Sequence, residues 1–280
     1  MERKLFNLFN YVLMFALIIT MIIPLVNVAA ISFSTDRASM APGVKLFPSP
    51  FSTSGYEVLF ERINILQPVL NTIYVSVIGT LLHVLLSALT AYALNRKDFW
   101  GKRFFVLFML FTMIFPFQSI MIPSYIVYKG LGLINSLMAI VVSGMVSAYT
   151  VLILQSFFAK IPRSLEEAAL IDGATEFTIF RTVYLPLSKA GIATVTLFQF
   201  VSKWNNFMES VIFLNNPSKY TLQVALKNLI ISSDITSTTD SISKNTQMAG
   251  VVITIIPLII VYVFLQRYFI TGLTAGAVKE

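Results

Sequence analysis

The chain has 280 residues, of which 56% are hydrophobic and only 12% charged, with a mean hydropathy of +0.80. A soluble domain carries roughly a quarter charged residues, so this composition excludes a water-soluble fold and requires a membrane protein with several spans. The net charge of +7 sits in short basic clusters between apolar runs, a pattern of topology signals rather than of a nucleic-acid surface. Zero cysteines exclude disulfides and thiolate chemistry, and the single histidine, His83, excludes an imidazole metal cluster.

A membrane helix needs about 20 mostly apolar residues, with a range of about 17–25. Six stretches qualify: Tyr11 to Phe33, Val69 to Leu94, Phe104 to Ile126, Ser136 to Phe158, Gly191 to Leu214 and Met248 to Ile270. Arg3 and Lys4 ahead of the first and Val28-Ala29-Ala30 behind it resemble a secretory signal. Its apolar run is longer than the roughly 7–15 residues of a signal core, so an uncleaved span is expected. Pro24, Pro116, Pro123 and Pro257 are expected to kink or break their helices. Small and hydroxylated residues such as Ser76, Gly79, Thr80, Ser87 and Ala88 suit close helix packing in lipid.

The loops give the orientation. One side holds Arg3, Lys4, Arg96, Lys97, Lys102, Arg103, Lys160, Arg163, Arg181, Lys189, Arg267 and Lys279 in short segments. The other holds Arg37, Lys45, Arg62, Lys129, Lys219, Lys227 and Lys244 over longer ones. The denser side is expected in the cytoplasm, with both termini. Outside, Ser34 to Pro68 reads as irregular with a short helix around Tyr56 to Ile65, and residues 215–245 as a loop that is flexible over 228–243.

The most polar cytoplasmic stretch runs from Ile161 to Pro186. Ser164 followed by Glu167 predicts a capping box, and Glu166 and Glu167 lie where the helix dipole favours negative charge. Asp172-Gly173 predicts the stop. Thr175 then caps a second helix with Glu176 in its first turn, bounded by Pro186. Phe177, Phe180 and Tyr184 fall at helical spacing on one face. On these features alone a well-capped connector is as good a reading as a docking element.

Among the polar residues of the spans, Lys203, Trp204, Asn205, Asn206 and Glu209 are candidates for a solute path or its support. The bland alternative is interhelical glue or an outer mouth already in water. Helical spacing puts Asn205 and Asn206 on the face of Glu209, with Lys203 opposite. His83, mid-span, reads as a hydrogen-bonded packing residue rather than a ligand or proton relay.

Several elements together resemble a known family. Glu167-Ala168-Ala169, three residues, Gly173, nine residues, Val183, one residue and Leu185-Pro186 resemble the EAA motif of ABC importer permeases, with Val183 where that pattern has Ile. Trp204-Asn205-Asn206-Phe207 resembles the Trp-Asn-Glu-Phe element of carbohydrate-importer permeases, with Asn206 in place of the acidic residue. Tyr220-Thr221-Leu222, the tail Gly272 to Lys279 and Ala91-Tyr92-Ala93-Leu94 with Phe99 and Gly101 are also similar. The likeness covers nearly the whole chain and is nearest to permeases like the smaller maltose-importer membrane subunit.

The resemblance implies an all-α permease domain over 1–280, with six transmembrane helices of the type I ABC importer fold. Within it lie a cytoplasmic coupling loop at 159–187, an extracytoplasmic loop at 215–245 and a cytoplasmic tail at 271–280. It implies that Glu166, Glu167, Ala168, Ala169, Asp172 and Gly173, backed by Phe177, Phe180, Tyr184 and Pro186, couple to a separate ATPase. Gly272, Thr274 and Gly276 would approach the ATPase dimer interface. It further implies a second permease chain, two ATPase subunits, an extracytoplasmic solute-binding protein and a sugar as substrate. The 228–243 loop would then face the binding protein, although no motif is shared there.

No G-x-x-x-x-G-K-[ST] occurs, so ATP and Mg are expected on the partners, with no cofactor or catalytic residue in this chain. An ion-coupled secondary transporter or channel using His83, Lys203 and Glu209 is the rival reading.

Overall fold

The computed structural model describes residues 2–62, 64–96, 99–235 and 242–277. Among them the architecture is helical, and the one extended pairing is an isolated bridge between Ser34 and Phe51. Helices named below are α1 (Glu2–Ser32), α2 (Leu66–Asn95), α3 (Lys102–Thr112), α4 (Phe117–Gly130), α5 (Leu137–Val142) and α6 (Ala148–Phe158). Then follow α7 (Arg163–Ile171), α8 (Glu176–Ile179), α9 (Lys189–Trp204), α10 (Met208–Phe213), α11 (Leu222–Ile235) and α12 (Lys244–Ala277).

The chain divides into two units. The first comprises 1–67 and 222–257. In it the outer segment is fixed by Asn245, whose Nδ2 donates to Ser34 O at 3.0 Å and to Ser54 Oγ at 3.2 Å. Gly55 lies directly on this backbone: a Cβ there would come within 3.0 Å of Asn245 carbonyl atoms. Phe33 stacks on Phe51, and Tyr56 shares a 3.0 Å hydrogen bond with Ser32. The expected short helix appears as Ser54–Glu57 running into a π turn at Val58–Arg62.

The expected loop over 215–245 is corrected. Residues 222–235 form α11, because Leu222, Leu226 and Leu229 recur at helical spacing, and Leu222 and Leu229 are buried. Residues 236–241 of the 228–243 segment lie outside the described residues.

The second unit comprises 68–221 and 258–280, and its helices are less continuous than their apolar runs suggest. Among the described residues, three helices are long and apolar enough to cross a membrane, spanning residues 3–32, 66–95 and 244–267, and a fourth span results if α3 and α4 count as one. That pair bends by 108° at Pro116, which precedes α4 and cannot continue α3. The stretch expected as one helix over Ser136 to Phe158 breaks at 143–147, where Gly144 is left-handed at φ 62° and Ser147 caps α6. Gly191 to Leu214 breaks at 205–207 between α9 and α10. Pro24 and Pro257, by contrast, sit inside continuous helices.

The core of this unit joins Ala88, Ala91 and Tyr92 of α2 to Val151, Leu154 and Phe158 of α6, and to Ile179, Phe180 and Tyr184 beyond them. The α12 backbone stays helical through Gly272, Thr274 and Gly276, whose side chains lie outside the described residues.

Candidate functional site

Two polar centres stand out in the second unit, the 161–187 loop and a buried network around Lys203. In the loop, α7 starts two residues earlier than the expected capping box requires. Pro162 takes the N-cap position with extended backbone, so Ser164 is already inside the helix and its hydroxyl caps nothing. The end of α7 matches expectation in detail. Gly173 is left-handed at φ 79°, its N–H donates to Leu170 O at 3.1 Å, and Ala174 N–H donates to Ala169 O at 2.9 Å. Those two bonds define a Schellman stop. Nothing lies within 4 Å of a Cβ at Gly173, so only its backbone angle calls for glycine. Thr175 caps α8, accepting from Thr178 N–H at 3.3 Å.

Beyond α8 the chain widens into a π turn at Phe180–Tyr184 and continues helical to Leu187. Pro186, expected as a boundary, therefore lies within the helix. It has no N–H for Thr182 O and its ring crowds that carbonyl, and a π turn is how the backbone accommodates both.

The side chains divide between two faces. Glu166 and Ala169 turn inward, while Glu167, Ala168, Leu165 and Ile171 face out, Ile171 being 86% exposed. Asp172 and Pro186 are exposed as well. The expected aromatic face also splits. Phe180 and Tyr184 are buried against Tyr92, with ring centroids 5.3 and 4.8 Å away, whereas Phe177 is exposed. Tyr184 Oη donates to Glu166 Oε2 at 2.8 Å, and Tyr92 Oη donates to Glu176 Oε2 at 2.7 Å. Arg96, just past α2, forms ion pairs with both Glu166 and Glu176. A cavity of about 260 Å³ opens beside this group, lined by Asn95, Arg96, Arg163, Glu166, Glu167 and Tyr184 among others.

The second centre surrounds the break between α5 and α6. Lys203, 5% exposed, donates from Nζ to Ile140 O at 2.6 Å and Ser143 O at 2.5 Å. Its stem passes over Gly79, where an added Cβ would meet the lysine Cε at 3.4 Å. From the other side His83 Nδ1 lies 2.7 Å from Gly144 O and Nε2 lies 2.8 Å from Thr150 Oγ1. A carbonyl only accepts, so the imidazole proton sits on Nδ1. Breaking a helix in an apolar setting frees carbonyls that must find donors, and these two side chains supply them. His83 lies near the middle of the apolar helix α2, so the break lies level with that midpoint.

Ser143 Oγ donates to Glu209 Oε1 at 2.7 Å, and Asn206 Nδ2 to Glu209 Oε2 at 2.8 Å. The wheel that set Lys203 opposite Glu209 fails because α9 ends at Trp204, and Ser143 links the two residues. Asn205 is separated from Glu209 by the same break: it is exposed and donates back to Val201 O at 3.0 Å. Trp204 is fully buried and stacks on Phe200, a packing role. The sequence reading had no role for Arg96 or Ser143 at these centres. In the sequence Arg96 reads only as a topology charge, and a single serine in an apolar run carries no signal.

Fold and site together define a helical membrane component that presents a capped two-helix loop at one end and a polar network inside. The chain matches the family described as "Binding-protein-dependent transport system inner membrane component" over residues 83–274, and it belongs to that family. It is 36% identical to the polygalacturonan/rhamnogalacturonan transport system permease protein YtcP of Bacillus subtilis, covering 100% of both chains. It is 31% identical to the arabinooligosaccharides transport system permease protein AraQ of Halalkalibacterium halodurans, covering 92% of this chain and 91% of that protein. A solved bacterial ABC transporter that imports the acidic polysaccharide alginate contains a chain with a TM-score of 0.85 and 31% identity, matched over 95% of this chain and 97% of that one.

Proposed function

We propose that the chain is the permease subunit of an ATP-driven, binding-protein-dependent importer for a sugar or oligosaccharide, and that its 164–186 loop is the docking element for a separate ATPase. The observation that carries this reading is the division of α7 into two faces, one clamped to α2 and one presenting Glu167, Ala168 and Ile171 to a partner. Carbohydrate is the substrate class supported by the likeness to permeases for polygalacturonan, rhamnogalacturonan and arabinooligosaccharides and to an alginate importer.

In this reading α1, α2, the α3–α4 pair, the α5–α6 pair, the α9–α10 pair and α12 are six spans of one domain, with both termini in the cytoplasm. A second permease chain completes the translocation path, two ATPase subunits bind and hydrolyse ATP with Mg, and an extracytoplasmic protein delivers solute. The 159–187 loop and the 271–280 tail face the ATPases, and the 215–245 segment faces the binding protein. Alternating access then follows rigid-body movement of packed helices. Asn206 and Glu209 line or support the path.

Gly173→Asp tests the docking role, because an aspartate in the left-handed region strains the stop and sets a new charge on the loop. Uptake should be lost while the protein still inserts, and normal uptake by the inserted variant would sink the reading. Liposomes holding the chain alone under an ion gradient test the ion-coupled alternative: solute accumulation there would favour His83, Lys203 and Glu209 as a relay.

A further inference from the structure

We propose that Arg96 is a positioning residue that fastens the end of α2 to both helices of the 161–187 loop, so that the three move as one body. This rests on the reading of that loop as the ATPase docking element. Arg96 continues the last turn of α2, its N–H donating to Tyr92 O at 3.2 Å. Its guanidinium lies between two carboxylates from different elements, Glu166 on α7 and Glu176 on α8. Each carboxylate gives its other oxygen to a tyrosine: Glu166 to Tyr184 of the π turn, and Glu176 to Tyr92 of α2 itself.

Tyr92 and Tyr184 then meet edge to face at 4.8 Å. The ring Tyr92–Glu176–Arg96–Glu166–Tyr184 is therefore closed, and every bond in it crosses between elements. The Arg96 carbonyl is held too, accepting from Lys102 Nζ at 3.0 Å, which ties the start of α3 to the same point.

A single exposed ion pair would transmit little, because water and side-chain freedom absorb its displacement. This one differs in burial and in connectivity. The Arg96 and Glu166 side chains are 20% and 15% exposed, and the planar fork addresses two directions at once, which a lysine point charge cannot. A push on the outer face of α7 reaches α2 through Glu166 and Arg96, and through Ala169 packed on the α2–α6 core. Adjacent glutamates thus divide the work, with Glu167 facing the partner and Glu166 facing the scaffold.

The test uses the complete transporter in proteoliposomes, reading both ATP hydrolysis and solute uptake. Arg96→Gln should still co-purify with the ATPase subunits and hydrolyse ATP within about twofold of wild type, while solute moved per ATP falls about tenfold. Arg96→Lys should lie between the two. Glu176→Gln, which removes the more exposed arm, should lower the ratio about two- to threefold.

The chain has no cysteine, so Arg96→Cys with Glu176→Cys can be joined by a short bifunctional thiol reagent. Joining should restore the ratio toward wild type, because the tether and not its charge is what matters. Wild-type solute per ATP in Arg96→Gln overturns the proposal, as does loss of transport on joining the cysteines. Failed assembly of Arg96→Gln combined with a normal ratio in Glu176→Gln overturns it too, leaving only a folding role. Normal uptake in Gly173→Asp would instead remove the docking reading itself, whatever Arg96 does.

Discussion

Arg96 and Lys203 are both cations held beside α2, one at its end and one against its middle, and their surroundings satisfy them in opposite ways. Arg96 meets two carboxylates on different elements, each of which also accepts from a tyrosine, and it remains in partial contact with water. Lys203 meets two backbone carbonyls of one broken helix and is almost fully buried. The first arrangement joins side chains that can move apart with their elements. The second completes the hydrogen bonding of a backbone that has no water to turn to. The contrast separates a connection between moving parts from a plug that lets a helix be discontinuous.

Removing Lys203 should therefore have the largest effect on folding. Lys203→Met keeps the stem but leaves Ile140 O and Ser143 O without their donor, at roughly 1–3 kcal/mol for each orphaned group. The detergent-solubilised protein should melt several degrees lower and express poorly, whereas Arg96→Gln should keep its melting temperature and lose coupling. If both variants fail in the same way, the contrast between them collapses. Thr175→Ala comes next. It removes the hydroxyl that receives Thr178 N–H, and loss of such a cap costs about 1 kcal/mol. A fall in solute moved per ATP with little change in melting temperature would place α8 on the coupling side of the comparison.

What the sequence made legible follows the same division. Gly173 and Thr175 were readable because a left-handed stop and a cap are decided within a few neighbouring residues. The long apolar helices were readable from composition over a window. Ser164 misled because Pro162 also suits the position before a helix, and only the backbone decides which residue takes the cap. The helical wheel placed Lys203 opposite Glu209 by assuming one unbroken helix, and the break at 205–207 cancels that assumption. Nothing local marks the 143–147 break as tolerable, since its donors come from α2 and α9. Arg96 and Glu176 are 80 positions apart, beyond any pattern a single chain displays. The inward turn of Glu166 beside the outward Glu167 depends on that distant partner.

The smallest expected effect gives the finest test of the plug. A Cβ on Gly79 would sit 3.4 Å from Lys203 Cε, 3.5 Å from Cδ and 3.7 Å from Cγ, at the near edge of ordinary contact. Gly79→Ala should thus fit with a slight shift of the lysine stem. The gain in helix propensity, about 0.8–1.0 kcal/mol for alanine over glycine, should offset most of the crowding, so the melting temperature should stay close to wild type. Gly79→Leu has no such room: its side chain must displace the stem, and the variant should behave like Lys203→Met. An alanine variant as damaged as the leucine one would mean that the helix break tolerates no movement of its ammonium, and that the plug is tighter than van der Waals contact requires. A leucine variant as stable as wild type would mean that Ile140 and Ser143 do not need Lys203, and the interior half of the comparison would fall.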